Sequence, residues 1–441
     1  MQPSSARRQC RAVPPIGVAI LLTGLAVSAQ TPTHSEADAN ASPRISALRK
    51  EVESGRRQAA QRFWQEVRKA GAPWVESIPG DGANSLVTFL WQGDSTTRNV
   101  AIFDGVAGFD ATDRMTHLAG TDVWYKTYKV RDDARFAYNL SPNDSLDSFD
   151  NIKDDEAMKK RLAMFRTDPL NPRRCPSTFG ELAAESSYVE LSAAPPQPWN
   201  APRADVPKGA VTATTFRSAI LKNERKLWIY TPAGFSKSGA PYPLLALFDG
   251  DRNVKWVPAI LDNLIARKRI PPMVAALVDN PSSAARNLEL PCYPPFADFL
   301  ALELVPYMRE NFHAAADPAH TIAAGSSYGG LAAVFASLRH PEVFGNVVSL
   351  SGSFWWKPQN GGEAEWLTRQ VADTPKLPLR FYLEVGLMEG YAMQIEANRR
   401  MRDVLAGQGY EIGYGEYDGG HSFLNWSGGT ANGLLFLMGS K

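Results

Sequence analysis

Two neighbouring serines, Ser326 and Ser327, stand in the run TIAAGSSYGG at residues 321–330. A serine hydroxyl becomes a nucleophile only when a nearby base takes its proton. Gly325-Ser326-Ser327-Tyr328-Gly329 reads G-x-S-x-G with Ser327 at its centre. That pattern does chemistry where a strand turns sharply into a helix: the turn lifts the central serine clear, and the glycines let the helix pack close. Ser327 is then the candidate nucleophile, and Ser326 points back toward the sheet. The backbone N–H of Tyr328 is placed to receive the oxyanion of an acyl-transfer intermediate.

The serine needs a base, and the chain has six histidines. His34 and His117 lie far upstream, His313 and His320 just before the nucleophile strand, and His340 at the end of the helix after it; each reads as a surface or packing residue. His421, in the turn GGHSFLNW after the last expected strand, is the candidate base. An acid should orient it from the loop after the preceding strand. FYLEVGLMEG puts Glu389 in that loop and Glu384 inside the strand, while Asp418, in the turn before His421, is the alternative. A second oxyanion donor is expected after LLALFDG, near Asp251; otherwise that stretch is only a strand-ending turn.

Elements that could hold these residues alternate through the second half. AVTATTFRSAI and RKLWIYTP read as a hairpin, PLLALFDG, MVAALVD, TIAAG, VVSLSG, LRFYLEVG and EIGYGEYD as strands. Helices are expected near 254–267, 296–312, 330–340, 363–371 and over NRRMRDVLAGQG. Strand and helix in alternation call for a mostly parallel sheet with helices on both faces. On such a sheet the order serine, acid, histidine is that of the α/β hydrolases. The first half differs. A helical stripe runs from Arg44 to Lys69, and SLVTFLW, RNVAIF, DVWYKTYKV and RFAYNL are strand-like and separated by turn formers, as in an antiparallel sandwich. Residues 141–175 read as irregular. The Pro-rich stretch 193–208 marks the junction, giving a β-sandwich (Ig-like) domain over 44–192 and a catalytic domain over 209–441.

LFDGD, RNLEL, GSSYGG, SGSFWW and GGHSFLNW resemble the esterase-D-like branch of the α/β hydrolases. FWQEVRKAGAPWVE, VTFLW, TDVWYKTYKV, RFAYNL and DPLNP resemble the N-terminal domain of enterochelin esterases. The resemblance implies hydrolysis of the trilactone esters of a ferric catecholate siderophore such as enterobactin, with iron present only as part of the substrate and no cofactor. It also implies Ser327, His421 and Glu389 as the catalytic set. The family's Arg-x-x-Glu-Leu pattern falls on Arg286, Glu289 and Leu290; Arg286 suits an anionic ligand, or else pairs with Glu289. Trp355 and Trp356 follow a strand end and could wall the pocket or simply pack. Two other readings stand beside this one: a general exported carboxylesterase acting on feruloyl, acetyl or other acyl esters, and a siderophore- or glycan-binding protein with a weak hydrolase site.

Bulk properties narrow the class. The 441 residues carry 47 basic and 46 acidic side chains, and no basic block points to nucleic acid. No Cys/His cluster has metal-ligand spacing, and no G-x-x-x-x-G-K-[ST] phosphate loop is present. Arg7, Arg8 and Arg11 followed by the apolar run 16–29 read as an export signal cut after Ala29, followed by a polar linker over 30–43. The product would be periplasmic or secreted, without a stable membrane span. Cys175 and Cys292 would then meet an oxidising compartment, either paired or as separate buried thiols.

Overall fold

The β-branched and aromatic runs of the first half form strands that pair antiparallel. In chain order they are β1 (Trp74–Ile78), β2 (Asp81–Gln92), β3 (Val100–Phe103), β4 (Thr116–His117), β5 (Val123–Arg131), β6 (Arg135–Pro142), β7 (Arg174–Pro176) and β8 (Glu185–Glu190). One sheet runs β1-β2-β5-β4 and the other β3-β6-β8-β7. Their inner faces meet, with Val87, Phe89 and Val130 packed against Ile102, Phe136, Tyr138, Leu140 and Val189. This is the sandwich expected from the strand pattern. The structure, a computed structural model, describes residues 42–439 apart from 109–112, 148–151, 153–154, 179–182 and 360. The expected export signal (1–29) and nearly all of the expected linker (30–43) lie outside the described residues. Among those described, no helix is long and apolar enough to cross a membrane.

The second half builds one eight-stranded sheet from β9 (Ala210–Ser218), β10 (Asn223–Thr231), β11 (Leu244–Phe248), β12 (Val274–Val278), β13 (Thr321–Ser326), β14 (Asn346–Leu350), β15 (Arg380–Gly386) and β16 (Glu411–Tyr417). Its order is β16-β15-β14-β13-β11-β12-β10-β9. The six strands from β16 to β12 are parallel, and the β9–β10 hairpin closes one edge antiparallel. Successive side chains of a strand point to opposite faces. Accordingly Leu244, Ala246 and Phe248 of β11 join one core, with the helices over 294–312 and 328–339, while Leu245 and Leu247 join the other, with the helices Val257–Ala266 and Phe423–Met438.

Several segments depart from the sequence pattern, among them the helix Ser283–Glu289 and the strands β1, β4, β7 and β8, which it did not mark; four others bear on the fold. The helix expected over 44–69 is two, Pro43–Glu53 and Ala59–Ala70, because Gly55 sits at φ +76° and ends the first. The helix expected over 296–312 contains a π turn, Leu300–Leu304. Pro306 follows it and has no N–H to give to the preceding turn. Glu303 of that turn accepts from the amides of Ala219 (2.9 Å) and Ile220 (3.1 Å) and so caps the β9–β10 connection. The stretch 141–175 is not wholly irregular, since Asp155–Leu162 is helical. The helix Phe423–Met438 has no counterpart in the sequence reading because Gly428, Gly429 and Gly433 resemble turn formers. In place they allow contact: a Cβ on Gly433 would lie 2.9 Å from Val348 Cγ2, and one on Gly429 2.9 Å from Leu350 Cδ2.

The two sheet systems touch where the last strand leaves the sheet. The Arg135 amide donates to the Asp418 carbonyl (2.8 Å), and Asn425 Nδ2 donates to the Arg135 carbonyl (3.1 Å). Arg131 forms an ion pair with the Asp418 carboxylate. The Pro-rich stretch is pinned by Asn263, whose Nδ2 donates to the carbonyls of Trp199 (2.7 Å) and Ala201 (2.9 Å). Cys175 and Cys292 are both free buried thiols, in the sandwich and beside the large sheet respectively.

Glu289 does not pair with Arg286. Its carboxylate accepts from Arg225 Nη2 at 2.9 Å, and the two side chains are 5% and 0% exposed. Asn223 Nδ2 also donates to it (2.8 Å), and the Arg225 guanidinium stacks over Phe299. Removing one member of a buried ion pair strands the other in a low-dielectric site. Glu289→Ala is therefore expected to lower unfolding free energy by about 3–5 kcal/mol, read from the denaturant midpoint of the purified protein.

Candidate active site

The carboxyl ends of β13, β14, β15 and β16 lie side by side, and the loop after each carries one polar group: Ser327, Ser351, Glu389 and His421. Open α/β sheets bind ligands at this edge.

Ser327 sits between β13 and the helix Tyr328–Arg339 at φ 57°, ψ −123°. A non-glycine residue there stores about 1–3 kcal/mol of backbone strain, which the surrounding contacts must hold. Its amide donates to the Leu350 carbonyl (2.9 Å), and its carbonyl accepts from the amides of Leu331 and Ser353 (3.1 Å each). The turn is tight enough that a Cβ on Gly325 would lie 2.5 Å from the carbonyl carbon of Gly329. Ser326 is buried in β13, and Ser327 Oγ lies 3.4 Å from Ser353 Oγ at the turn's tip.

Glu389 Oε2 lies 2.7 Å from His421 Nδ1. Its Oε1 accepts from Ser351 Oγ (2.6 Å) and from the Gly386 amide (3.0 Å). An ionised carboxylate only accepts, so Nδ1 carries the proton and Nε2 is left as the basic nitrogen. Trp426 stands edge-on to the imidazole, with centroids 4.6 Å apart, and its Nε1 donates to Ser351 Oγ (2.9 Å). The alternative acid, Asp418, is turned away: its carboxylate pairs with Arg131 of the sandwich. Glu384 lies within β15, bonded by Tyr382 Oη at 2.6 Å. His117, His313, His320 and His340 hold structural contacts elsewhere, and His34 lies outside the described residues.

The other expected site residues divide. Tyr328 begins the helix after Ser327, and its ring lies 6.0 Å from that of Trp355. Trp355 Nε1 donates to Gln394 Oε1 (2.8 Å), whereas Trp356 packs edge-on against Trp366, away from that pair. Arg286 is clamped in a two-pronged pair with Asp249, Nε to Oδ1 at 2.6 Å and Nη2 to Oδ2 at 2.8 Å. Asp249 ends β11 in the left-handed region at φ 54° and borders the elbow, with Oδ2 3.7 Å from where a Gly329 Cβ would be. The amide of Asp251 faces the Asp279 carboxyl. Burial and then the charge of Asp251 push that carboxyl up to about 6, and the amides of Asn280 and Asp251 oppose the rise. Asp251 is thus already engaged on that side of the loop, which counts against it as the second oxyanion donor.

Ser351, Gln394, Asn398 and Trp426 had no signal in the sequence. Gln394 and Asn398 hold the Gly352 carbonyl at 3.1 and 2.8 Å, which sets the loop after β14. The spacing from Gln394 to Asn398, one helical turn, is legible only once the helix Glu396–Gly407 and its π-helical lead-in Tyr391–Ile395 are known.

A mostly parallel sheet with serine, acid and histidine in this order along its carboxyl edge is the layout of an α/β hydrolase. Residues 218–436 match the family described as putative esterase, and residues 86–200 match that of the enterochelin esterase N-terminal region. The iron(III) enterobactin esterase of Escherichia coli O6:H1 is 34% identical over 374 residues, covering 80% of this chain and 90% of that one. The crystal structure of the ferric enterobactin esterase of Salmonella typhimurium superposes with a TM-score of 0.71 at 28% identity, covering 84% of this chain and 98% of that one. The Shigella flexneri enterobactin esterase crystallised in the presence of enterobactin gives 0.68 at 30% identity, covering 83% and 95%. The chain belongs to the iron(III) enterobactin esterase family, and it is an ester hydrolase.

Two substitutions probe the site. Glu389→Gln breaks the match between an anionic acceptor and the Nδ1 proton, and kcat is expected to fall about 10³-fold with a smaller change in KM. Gly325→Ala drives a methyl into the Gly329 backbone; loss of activity is expected with native-like circular dichroism.

Proposed function

We propose that this chain hydrolyses the ester bonds of a ferric catecholate siderophore lactone such as enterobactin, and so releases its iron. The observation that carries the reading is the 2.7 Å contact between Glu389 and His421 at the sheet edge that bears Ser327, in a chain whose 34%-identical alignment spans 90% of the length of an iron(III) enterobactin esterase. Ser327 Oγ attacks the ester carbonyl while His421 Nε2 takes its proton. Glu389 holds the ring and balances the imidazolium. The Tyr328 amide receives the oxyanion, with a second donor from the turn after β11, where the Asp249 carbonyl takes the amides of Arg252 and Asn253 and leaves that of Gly250. His421 then protonates the leaving hydroxyl. Water enters by the same route and frees the acyl group. The half-exposed Trp355 and Tyr328 offer flat apolar faces to catechol rings. Arg286, locked to Asp249, lays its guanidinium over the Tyr328 ring at 6.0 Å and helps fix that face.

Chromatography of products from ferric and iron-free enterobactin tests the reading. Wild-type protein should convert the trilactone to linear dihydroxybenzoylserine fragments, and Ser327→Ala should not. Trilactone left intact in both forms, with a feruloyl ester cleaved instead, would sink the siderophore assignment and favour a general carboxylesterase.

Hydrolysis outside the cytoplasm is part of the same proposal. It rests on the basic-then-apolar run ending at Ala29. Protein recovered from a periplasmic fraction should begin at Gln30; full-length protein in the cytosol would count against export.

A further inference from the structure

The geometry points to Asp104, in the N-terminal sandwich, as a positioning residue for His421: it sets a second carboxyl group against the loop that carries the histidine and supports the charged imidazolium during acyl transfer. The inference rests on the triad reading above.

Asp104 follows β3, is 2% exposed and adopts φ +71°, a strained conformation for a residue with a side chain. Two contacts hold it there. Its amide donates to the Gly108 carbonyl (2.8 Å), and its Oδ1 accepts from the Gly105 amide (2.7 Å). The carboxyl is thereby turned out of the sandwich and into the other domain. A Cβ placed on Gly420, the residue before His421, would lie 2.9 Å from Asp104 Oδ1 and 3.2 Å from the Gly105 nitrogen. Only glycine fits at 420 without moving this carboxyl. The flanking residues are fixed by the same domain, through the Arg135 amide on the Asp418 carbonyl and the Arg131–Asp418 ion pair. The histidine's loop is therefore shaped on one side by the sandwich.

The charges around Asp104 agree with this role. Burial pushes its carboxyl up to about 7, the Gly105 amide pulls it down, His421 lowers it further, and Glu389 raises it. The other titratable groups that sense it are the Tyr417 phenol and the Cys175 thiol. Both are pushed up, by burial first and with Asp104 adding to the rise, so both stay neutral near pH 7. His421 is then the one cationic partner among these groups. Below about pH 7 Asp104 is protonated and Glu389 alone balances the imidazolium; above it Asp104 contributes a second negative charge.

The same burial has a consequence for stability. The folded carboxyl holds its proton up to about pH 7 while the unfolded chain releases it near 3.8. The native state therefore binds more protons in that window, and Asp104 weakens the fold as pH rises through it.

The test is Asp104→Asn in the full chain, with p-nitrophenyl acetate and ferric enterobactin as separate substrates. Relative to wild type, kcat should fall about tenfold at pH 8.5 and change little at pH 6, with KM nearly constant. The melting temperature at pH 8 should match or exceed that of wild type. Wild-type kcat at pH 8.5 would overturn the inference, as would an equal loss at every pH accompanied by a lower melting temperature. Ser327→Ala and His421→Ala are run in parallel. If either of these stays active, the triad reading itself is wrong; if both are dead and Asp104→Asn is indistinguishable from wild type, only the role of Asp104 fails.

Discussion

Glu389 ties together three loops that have no other reason to meet. It is a buried carboxylate, and burial of an ionised group is tolerable only when its lone pairs are taken up. Here one oxygen gathers Ser351 from the loop after β14 and Gly386 from the end of β15, while the other takes His421 from the loop after β16. The register of parallel strands brings these loop origins to one edge, and the carboxylate closes the remaining ångströms. Trp426 and Gln394 then secure the Ser351–Gly352 turn from two sides. A polar network of this kind is stable because every member is bonded, and for the same reason it admits little rearrangement.

Ser327 and His421 are positioned by different means. Ser327 belongs to the centre of the sheet, where β11 and β14 flank β13 and glycine contacts leave the turn one available path. Its placement follows from this packing and from backbone hydrogen bonds to Leu350, Leu331 and Ser353. His421 comes from a loop beyond the outermost strand, where packing from the sheet is one-sided. The missing side is supplied from outside the hydrolase fold: the Arg135 backbone brackets the segment Asp418–Asn425, and Met388 packs into the core of the sandwich. The first domain is thus part of the scaffold of the His421 loop.

Much of this was legible in the sequence because local rules carried it. Alternation of strand and helix gave the large sheet, and G-x-S-x-G between strand and helix gave the elbow. The order of Ser327, Glu389 and His421 along the chain follows the order of the strands β13, β15 and β16 across the sheet, with β14 between the first two. The choice between Glu389 and Asp418 needed coordinates, since both lie in loops at the same edge and only the Arg131 pair shows which one faces away. Of the two readings of Arg286, an anion-binding group or a partner of Glu289, the pair with Glu289 does not form. Asp249 takes Arg286 instead, a contact between separate elements that spacing does not encode. The last helix was hidden by its glycines, whose purpose is closeness to β14 and not chain reversal. Asp104 was invisible for the same reason: nothing near it in sequence hints that a sandwich turn abuts the histidine loop.

The position of β16 has a consequence for how the protein fails. It is an edge strand with a single neighbour, β15. Edges open locally at lower free energy than central strands, and the histidine hangs from this one. Heating should therefore silence the protein by fraying at one margin while the rest of the sheet is intact, and recovery on cooling needs only that strand to re-zip. The grip of the sandwich on the strand's far end acts as a clasp that sets how readily this reversible fuse trips.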